Sequence, residues 1–168
     1  MNTSDIVVLD TQIMIWGVKG QATDGQEKMI CRAKAYLQYL GKIKAKIMLP
    51  SVVVGEMLVS IPIDKHPAVS ELLRKRFIIV PYDLQAANVY ARLYQNRIKK
   101  KEQDKKANIS RREIVADFMI VASAIARGAT KIISHDKHLK NFAKGFIEVE
   151  EIPIIPHAPS FDELPQRT

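Results

Sequence analysis

The sequence predicts an α/β fold built around a mainly parallel β-sheet. Short apolar runs alternate with helix-period segments along the whole chain. Several of those runs are apolar at every position, as strands covered on both faces must be. No internal repeat and no second domain interrupts the 168 residues, a length suited to one domain with a real core.

Ile6-Val7-Val8-Leu9 is the first strand and ends at Asp10. Gln26 to Leu40 carries Met29, Ile30, Ala33, Leu37 and Leu40 at helical spacing, with Gly41 as the stop. Ile47-Met48-Leu49 is the second strand, and Ser51 is the expected N-cap of a helix that passes Glu56 and ends before Pro62. A helix from Pro67 to Arg76 precedes the strand Phe77 to Val80. Asp83 opens a longer helix with Ala86, Ala87, Tyr90, Leu93 and Tyr94 on one face. Residues 98–109 are polar and lysine-rich, an extended helix end or an insertion or hinge. Ser110 and Glu113 have capping-box spacing, and the helix they open is apolar almost all round from Ile114 to Ala126, hence central and buried. Gly128 ends it. Lys131 to Ser134 is a strand, Asp136 opens a short helix to about Phe142, and Phe146 to Val149 is a last strand. Residues 1–150 thus form the domain, and 151–168, with Pro153, Pro156, Pro159 and Pro165, an extended tail.

Composition narrows the function. Hydrophobic residues at 47% and charged residues at 26% are those of an ordinary soluble domain. Lys and Arg total 26 against 18 Asp and Glu, a net +8 that favours polyanionic partners, nucleic acid or an acidic protein. Aromatics at 7% argue against a stacking platform for single strands. Cys31 is the only cysteine, which excludes an intramolecular disulfide and a cysteine zinc cluster. The first residues do not read as a signal peptide, and no apolar run approaches the roughly 20 residues that span a bilayer. A cytoplasmic protein without a membrane partner is expected.

Four carboxylates stand out. In an open parallel sheet, ligands sit beyond the carboxyl ends of the strands. Asp10 follows the first strand directly, and Asp136 lies just beyond another. Each is also a good helix N-cap, which competes with a chemical role. Asp117 lies inside an apolar helix between Ala116 and Phe118, where an ionised carboxylate is costly unless paired. A buried salt bridge is its structural alternative. Glu56 sits amid Val52, Val53, Val54, Met57 and Leu58, and its alternative is a solvated helix position. Four such groups converging at one sheet edge would repel one another. Hard divalent cations, Mg²⁺ or Mn²⁺, relieve that repulsion and can activate water against a phosphodiester.

Val8-Leu9-Asp10-Thr11, then Pro50-Ser51 with Glu56, then Asp117-Phe118-Met119-Ile120-Val121-Ala122-Ser123-Ala124, then Ser134-His135-Asp136 resemble, in order and spacing, the PIN domain, and more narrowly the VapC-type toxin ribonucleases. The resemblance covers Ile6 to Val149. It implies a PIN-like three-layer sandwich and metal-dependent hydrolysis of RNA. It also implies an acidic metal site of Asp10, Glu56, Asp117 and Asp136, assisted by Thr11 and Ser134. The chain departs from the compact toxins in its extra length at 98–109 and in the tail. Ser134 stands where that family often has Thr, and His138 where a further acid is often found. The partners expected are RNA, an antitoxin protein and a second copy of the chain.

Lys99, Lys100 and Lys101 are the candidate RNA-holding cations, with a solvated face as the alternative. Glu113, one turn before Asp117, is a further candidate for the acidic site but is sufficiently explained by its cap. His135 and His138 are candidate metal contacts better explained as solvated surface histidines. Trp16 is a candidate for stacking on a base better explained by a core or partner-facing role. A haloacid-dehalogenase-type phosphatase would need a second Asp two residues after Asp10, where Gln12 stands. No phosphate-binding or dinucleotide-binding glycine loop is present. The rival from another class is a non-catalytic PIN-like module that binds RNA or protein. A missing acid would favour it, and all four are present.

Overall fold

The computed structural model describes residues 6–101 and 111–155, without the side chains of 97–101 and 111–114. The Ser110–Glu113 box, the lysine side chains at 99–101 and the tail from 156 onward lie outside the described residues. The chain runs β1 (Ile6–Leu9), α1 (Thr11–Met14), a π-helical stretch (Ile15–Lys19), α2 (Glu27–Lys42), β2 (Lys46–Pro50), α3 (Ser51–Val59), a 3₁₀ turn (Ile63–Lys65), α4 (His66–Arg76), β3 (Ile78–Val80), α5 (Leu84–Lys101), α6 (Arg111–Ala126), β4 (Lys131–Ile133), α7 (Lys137–Ala143) and β5 (Glu148–Glu150).

The five strands form one sheet in the order β3-β2-β1-β4-β5, and every neighbouring pair is parallel. Successive residues of a strand point to opposite faces. Val7, Val8 and Leu9 are all fully buried, as are Ile132 and Ile133, so both faces of the central strands are covered. The result is the α/β sandwich that the apolar runs predict. From β1 the chain builds outward to β2 and β3, then returns to the other side of β1 for β4 and β5. The order therefore reverses at β1, and the crevice above β1 and β4 is the topological switch point where open sheets take ligands.

Three local expectations are corrected. Gly41 does not stop α2, which continues to Lys42. Its end is closed by Ala45 N–H donating to the Leu40 carbonyl at 3.0 Å, while Lys44 (φ 53°) takes the left-handed position usually given to glycine. Ser51 is not the N-cap of α3 but its first residue, after Pro50. Its hydroxyl instead accepts from Tyr82 N–H at 3.2 Å, tying α3 to the end of β3. Between β1 and α2 the chain forms α1 and the π-helical stretch, where the sequence carries no helical period. These turns are too short to show a period. They press against α2 at Gly17, where an added methyl would stand 2.6 Å from Leu37 Cδ1.

Helix α6 is central, as its all-round apolar surface predicts. Phe118, Ile120, Val121, Ala122, Ser123 and Ala124 are all buried in it. Phe118 stacks on Phe142 of α7 at 4.7 Å and packs against Tyr90 of α5 at 5.6 Å. At the far end, Arg127 bonds Asp83 at 2.6 Å and Gln85 at 2.8 Å, fastening the end of α6 to the start of α5. No described helix is long and apolar enough to cross a membrane.

Ser123 Oγ is fully buried and has no hydrogen-bond partner among the described residues. A buried hydroxyl without a partner is destabilising, and Ala is the better helix former. Ser123→Ala should therefore stabilise the protein, by about 1 kcal/mol in urea unfolding. A loss of stability would mean that the hydroxyl is bonded in solution.

Candidate active site

Asp10 is the centre of the site. Its main-chain N–H donates to the Ile133 carbonyl at 3.1 Å, which extends the β1–β4 ladder past the strand and fixes Asp10 at the switch point. One carboxylate oxygen, Oδ2, accepts from the Ser134 hydroxyl at 2.7 Å, and Oδ1 accepts from Thr11 N–H at 2.6 Å. That second bond goes to the very next residue. A helix N-cap normally serves the second or third helical N–H, so capping is a poor account of Asp10.

Asp136 is different. Its Oδ1 accepts from His138 N–H at 2.6 Å and Leu139 N–H at 3.2 Å, an N-cap for α7. Its own N–H donates to Ser134 Oγ at 3.0 Å. Ser134 thus bridges the two aspartates, accepting from the backbone of one and donating to the side chain of the other. Glu56, exposed on α3, accepts a hydrogen bond from the Thr11 hydroxyl. Thr11 in turn offers its N–H to Asp10, so Thr11 and Ser134 link three acids into one cluster.

The electrostatics agree. Burial pushes the Asp10 carboxyl up from 3.8 to about 6, against the lowering effect of its Ser134 and Thr11 hydrogen bonds. The negative charges of Asp136 and Glu56 raise it further.

Asp117 is half-buried on α6, one and two turns before the fully buried Val121 and Ala124. It is not an isolated charge. Helix α6 packs on α3 and β4, the elements that lead to Glu56 and Ser134. The described hydrogen bonds join three of the four predicted acids, Asp10, Glu56 and Asp136.

Among the described residues, no three His, Cys, Asp or Glu side chains stand together as a ready-made metal cage. The donor set still suits a hard cation. Mg²⁺ keeps several waters and is commonly held by one or two carboxylates together with substrate phosphates. The buried Asp10 carboxylate, with two further negative charges acting on it, is a group that a divalent cation would relieve.

Two expectations change around the rim. His135 is not a solvated surface histidine. Its side chain is 17% exposed, its ring stands edge-on to Trp16 at 5.5 Å, and its Nε2 accepts from Ile152 N–H at 3.1 Å. Trp16 is core, at 3% exposure. Nothing in the sequence separates Arg32 from the other helix cations. It donates to the Ile152 carbonyl at 2.6 Å. Ile152, placed in the tail by the sequence, is buried and clamped by both residues.

The PIN domain family model matches residues 7–145. No curated protein sequence is significantly similar to this one. Among solved structures, the chain resembles VapBC-1 from nontypeable Haemophilus influenzae, with a TM-score of 0.60 and 17% identity over 87% of this chain and 97% of that one. It also resembles VapBC2 from Rickettsia felis bound to a DNA fragment from their promoter, with a TM-score of 0.59 and 18% identity over 87% and 98%. DNA-bound VapBC from Salmonella typhimurium has a TM-score of 0.56 and 16% identity over 89% and 99%. At these identities the likeness is one of fold.

The Asp10 shift fixes a pH dependence for metal-free protein. A carboxyl whose folded value lies above its unfolded one holds its proton more tightly in the folded state. Its destabilising effect is absent below 3.8, grows as pH rises to about 6 and is constant above. The span corresponds to about 3 kcal/mol. Asp10→Asn should remove that slope, so in EDTA at neutral pH the variant should melt at or above wild type. A variant that melts well below wild type there would make Asp10 a stabilising charge instead.

Proposed function

The chain belongs to the PIN domain family, and we propose that it is a metal-dependent endoribonuclease, the toxin of a toxin–antitoxin pair. The observation that carries this reading is the linked cluster of Asp10, Glu56 and Asp136 at the switch point, with a buried carboxylate at its centre.

Asp10, Glu56 and Asp136 would hold Mg²⁺ or Mn²⁺, with Asp117 as the fourth acid. The bound ion supplies charge neutralisation at the phosphate and acidifies water for attack on it. The chain's own residues do the rest. Ser134 and the Thr11 N–H fix the Asp10 carboxylate in one orientation, and the Thr11 hydroxyl positions Glu56. Capping α7 leaves Oδ2 of Asp136 available to a ligand. The surplus of positive charge on the chain favours a polyanionic substrate. Lys99, Lys100 and Lys101 close α5 and are further candidates for phosphate contacts. The solved relatives named VapBC support an antitoxin as the protein partner.

The test is incubation of pure protein with several RNAs in Mg²⁺, Mn²⁺ or EDTA, beside Asp10→Asn and Asp117→Asn. Wild type should yield fragments with 5′-phosphate and 3′-hydroxyl ends, read by mass spectrometry. Both variants should be inactive, as should wild type in EDTA. Cyclic 2′,3′-phosphate ends, or full activity in EDTA, would overturn the reading.

A further inference from the structure

An open basin of about 740 Å³ adjoins the acidic cluster and shares Asp136 with it. Its other fixed charges are all positive, set among neutral residues such as Gln12, Gln26 and Met29. Lys28 and Arg32 come from α2, and Lys137 comes from the first turn of α7. Both lysines are exposed, and neither has a described hydrogen bond or ion-pair partner.

Arg32 is built in rather than solvated. Its Nη2 donates to the Ile152 carbonyl, and its Nε is buried with no hydrogen-bond partner among the described residues. His135, edge-on to Trp16, accepts from Ile152 N–H and completes the floor. Three fixed-charge cations therefore face one carboxylate in a basin whose floor is clamped by two side chains and a buried tryptophan.

We infer that this basin binds the RNA backbone beside the phosphate undergoing cleavage, with Lys28 and Lys137 as its phosphate-contacting residues and Arg32 as the preorganised cation between floor and rim. The inference rests on the nuclease reading. A chain crossing Asp136 passes from the acidic cluster into the basin, so a strand engaged at the former meets the latter with its neighbouring phosphates. The favoured ligand is a flexible polyanion. The basin is open, its rim cations are long and mobile, and Trp16 is too buried to offer a base its ring face.

The test uses full-length protein, EDTA and a fluorescein-labelled single-stranded RNA, with binding read by fluorescence polarisation across a salt series. The variant is Lys28→Gln with Lys137→Gln. The control is Lys42→Gln with Lys44→Gln, which removes the same charge from exposed residues before β2, at the opposite end of the sheet. The basin variant should bind RNA at least tenfold more weakly. Its salt slope should fall by about 1.4, or about 0.7 per lost contact. Thermal melts should match wild type, and the control variant should bind as wild type does. Equal losses in the two variants, or an unchanged salt slope in the basin variant, would overturn the inference. So would a variant that loses affinity for poly-aspartate but keeps it for RNA, which would assign the basin to an acidic protein. If wild type cleaves RNA and the basin variant binds it normally, the inference alone fails. If wild type neither binds nor cleaves RNA, the nuclease reading fails with it.

Discussion

The placement of one carboxylate organises the rest of the molecule. Asp10 is carried past the end of β1 by a main-chain hydrogen bond to β4, so its side chain emerges where the strand order reverses. It is buried there, and a buried carboxylate is tolerated only with strong hydrogen bonds or a compensating charge. Ser134 and Thr11 supply the bonds, and in doing so they draw Asp136 and Glu56 to the same place. The surrounding apolar core is what makes the arrangement costly. Val7, Val8, Leu9, Ile132 and Ile133 exclude water from both faces of the two strands that carry it. Burial of the strands and the raised pKa of Asp10 are two results of the same packing.

Much of this was legible in the sequence because the central strands are apolar at nearly every position. Ile6 to Leu9 and Lys131 to Ile133 announce themselves as doubly covered strands, and the acids that follow them fall at the carboxyl ends by position alone. What the sequence could not show was pairing. The bridge through Ser134 joins residues 124 positions apart, and the Thr11–Glu56 bond joins residues 45 apart. Neither leaves a local pattern. Short elements escaped for a related reason. The two turns from Thr11 to Lys19 are held by contact with α2 at Gly17 rather than by a repeating apolar face. The end of α2 is hidden in the sequence because Lys44 takes a left-handed conformation usually given to glycine, while Gly41 lies close by as a decoy. His135 looked solvated because a histidine beside two polar residues carries no sign that Ile152 will return to meet it.

The acids differ in how their structural and chemical roles combine. Asp136 is accounted for as a helix cap through Oδ1, yet it also lines the basin. Asp10 is poorly accounted for as a cap, and its burial is hard to explain on grounds of stability alone. Such strain between folding and placement is expected where a group is kept for its chemistry. The cationic basin beyond Asp136 extends the same logic, since an acidic centre flanked by fixed positive charge can hold a polyanion without repelling it.

The central claim is that Asp10 is a desolvated carboxylate whose unfavourable charge a divalent cation relieves. Carbon NMR titration of the Asp10 side-chain carboxyl, without metal and with saturating Mg²⁺, tests it most directly. The account predicts a midpoint of about 6 in the metal-free protein and a clear fall when Mg²⁺ is present. A midpoint near 3.8 that Mg²⁺ does not move would contradict it.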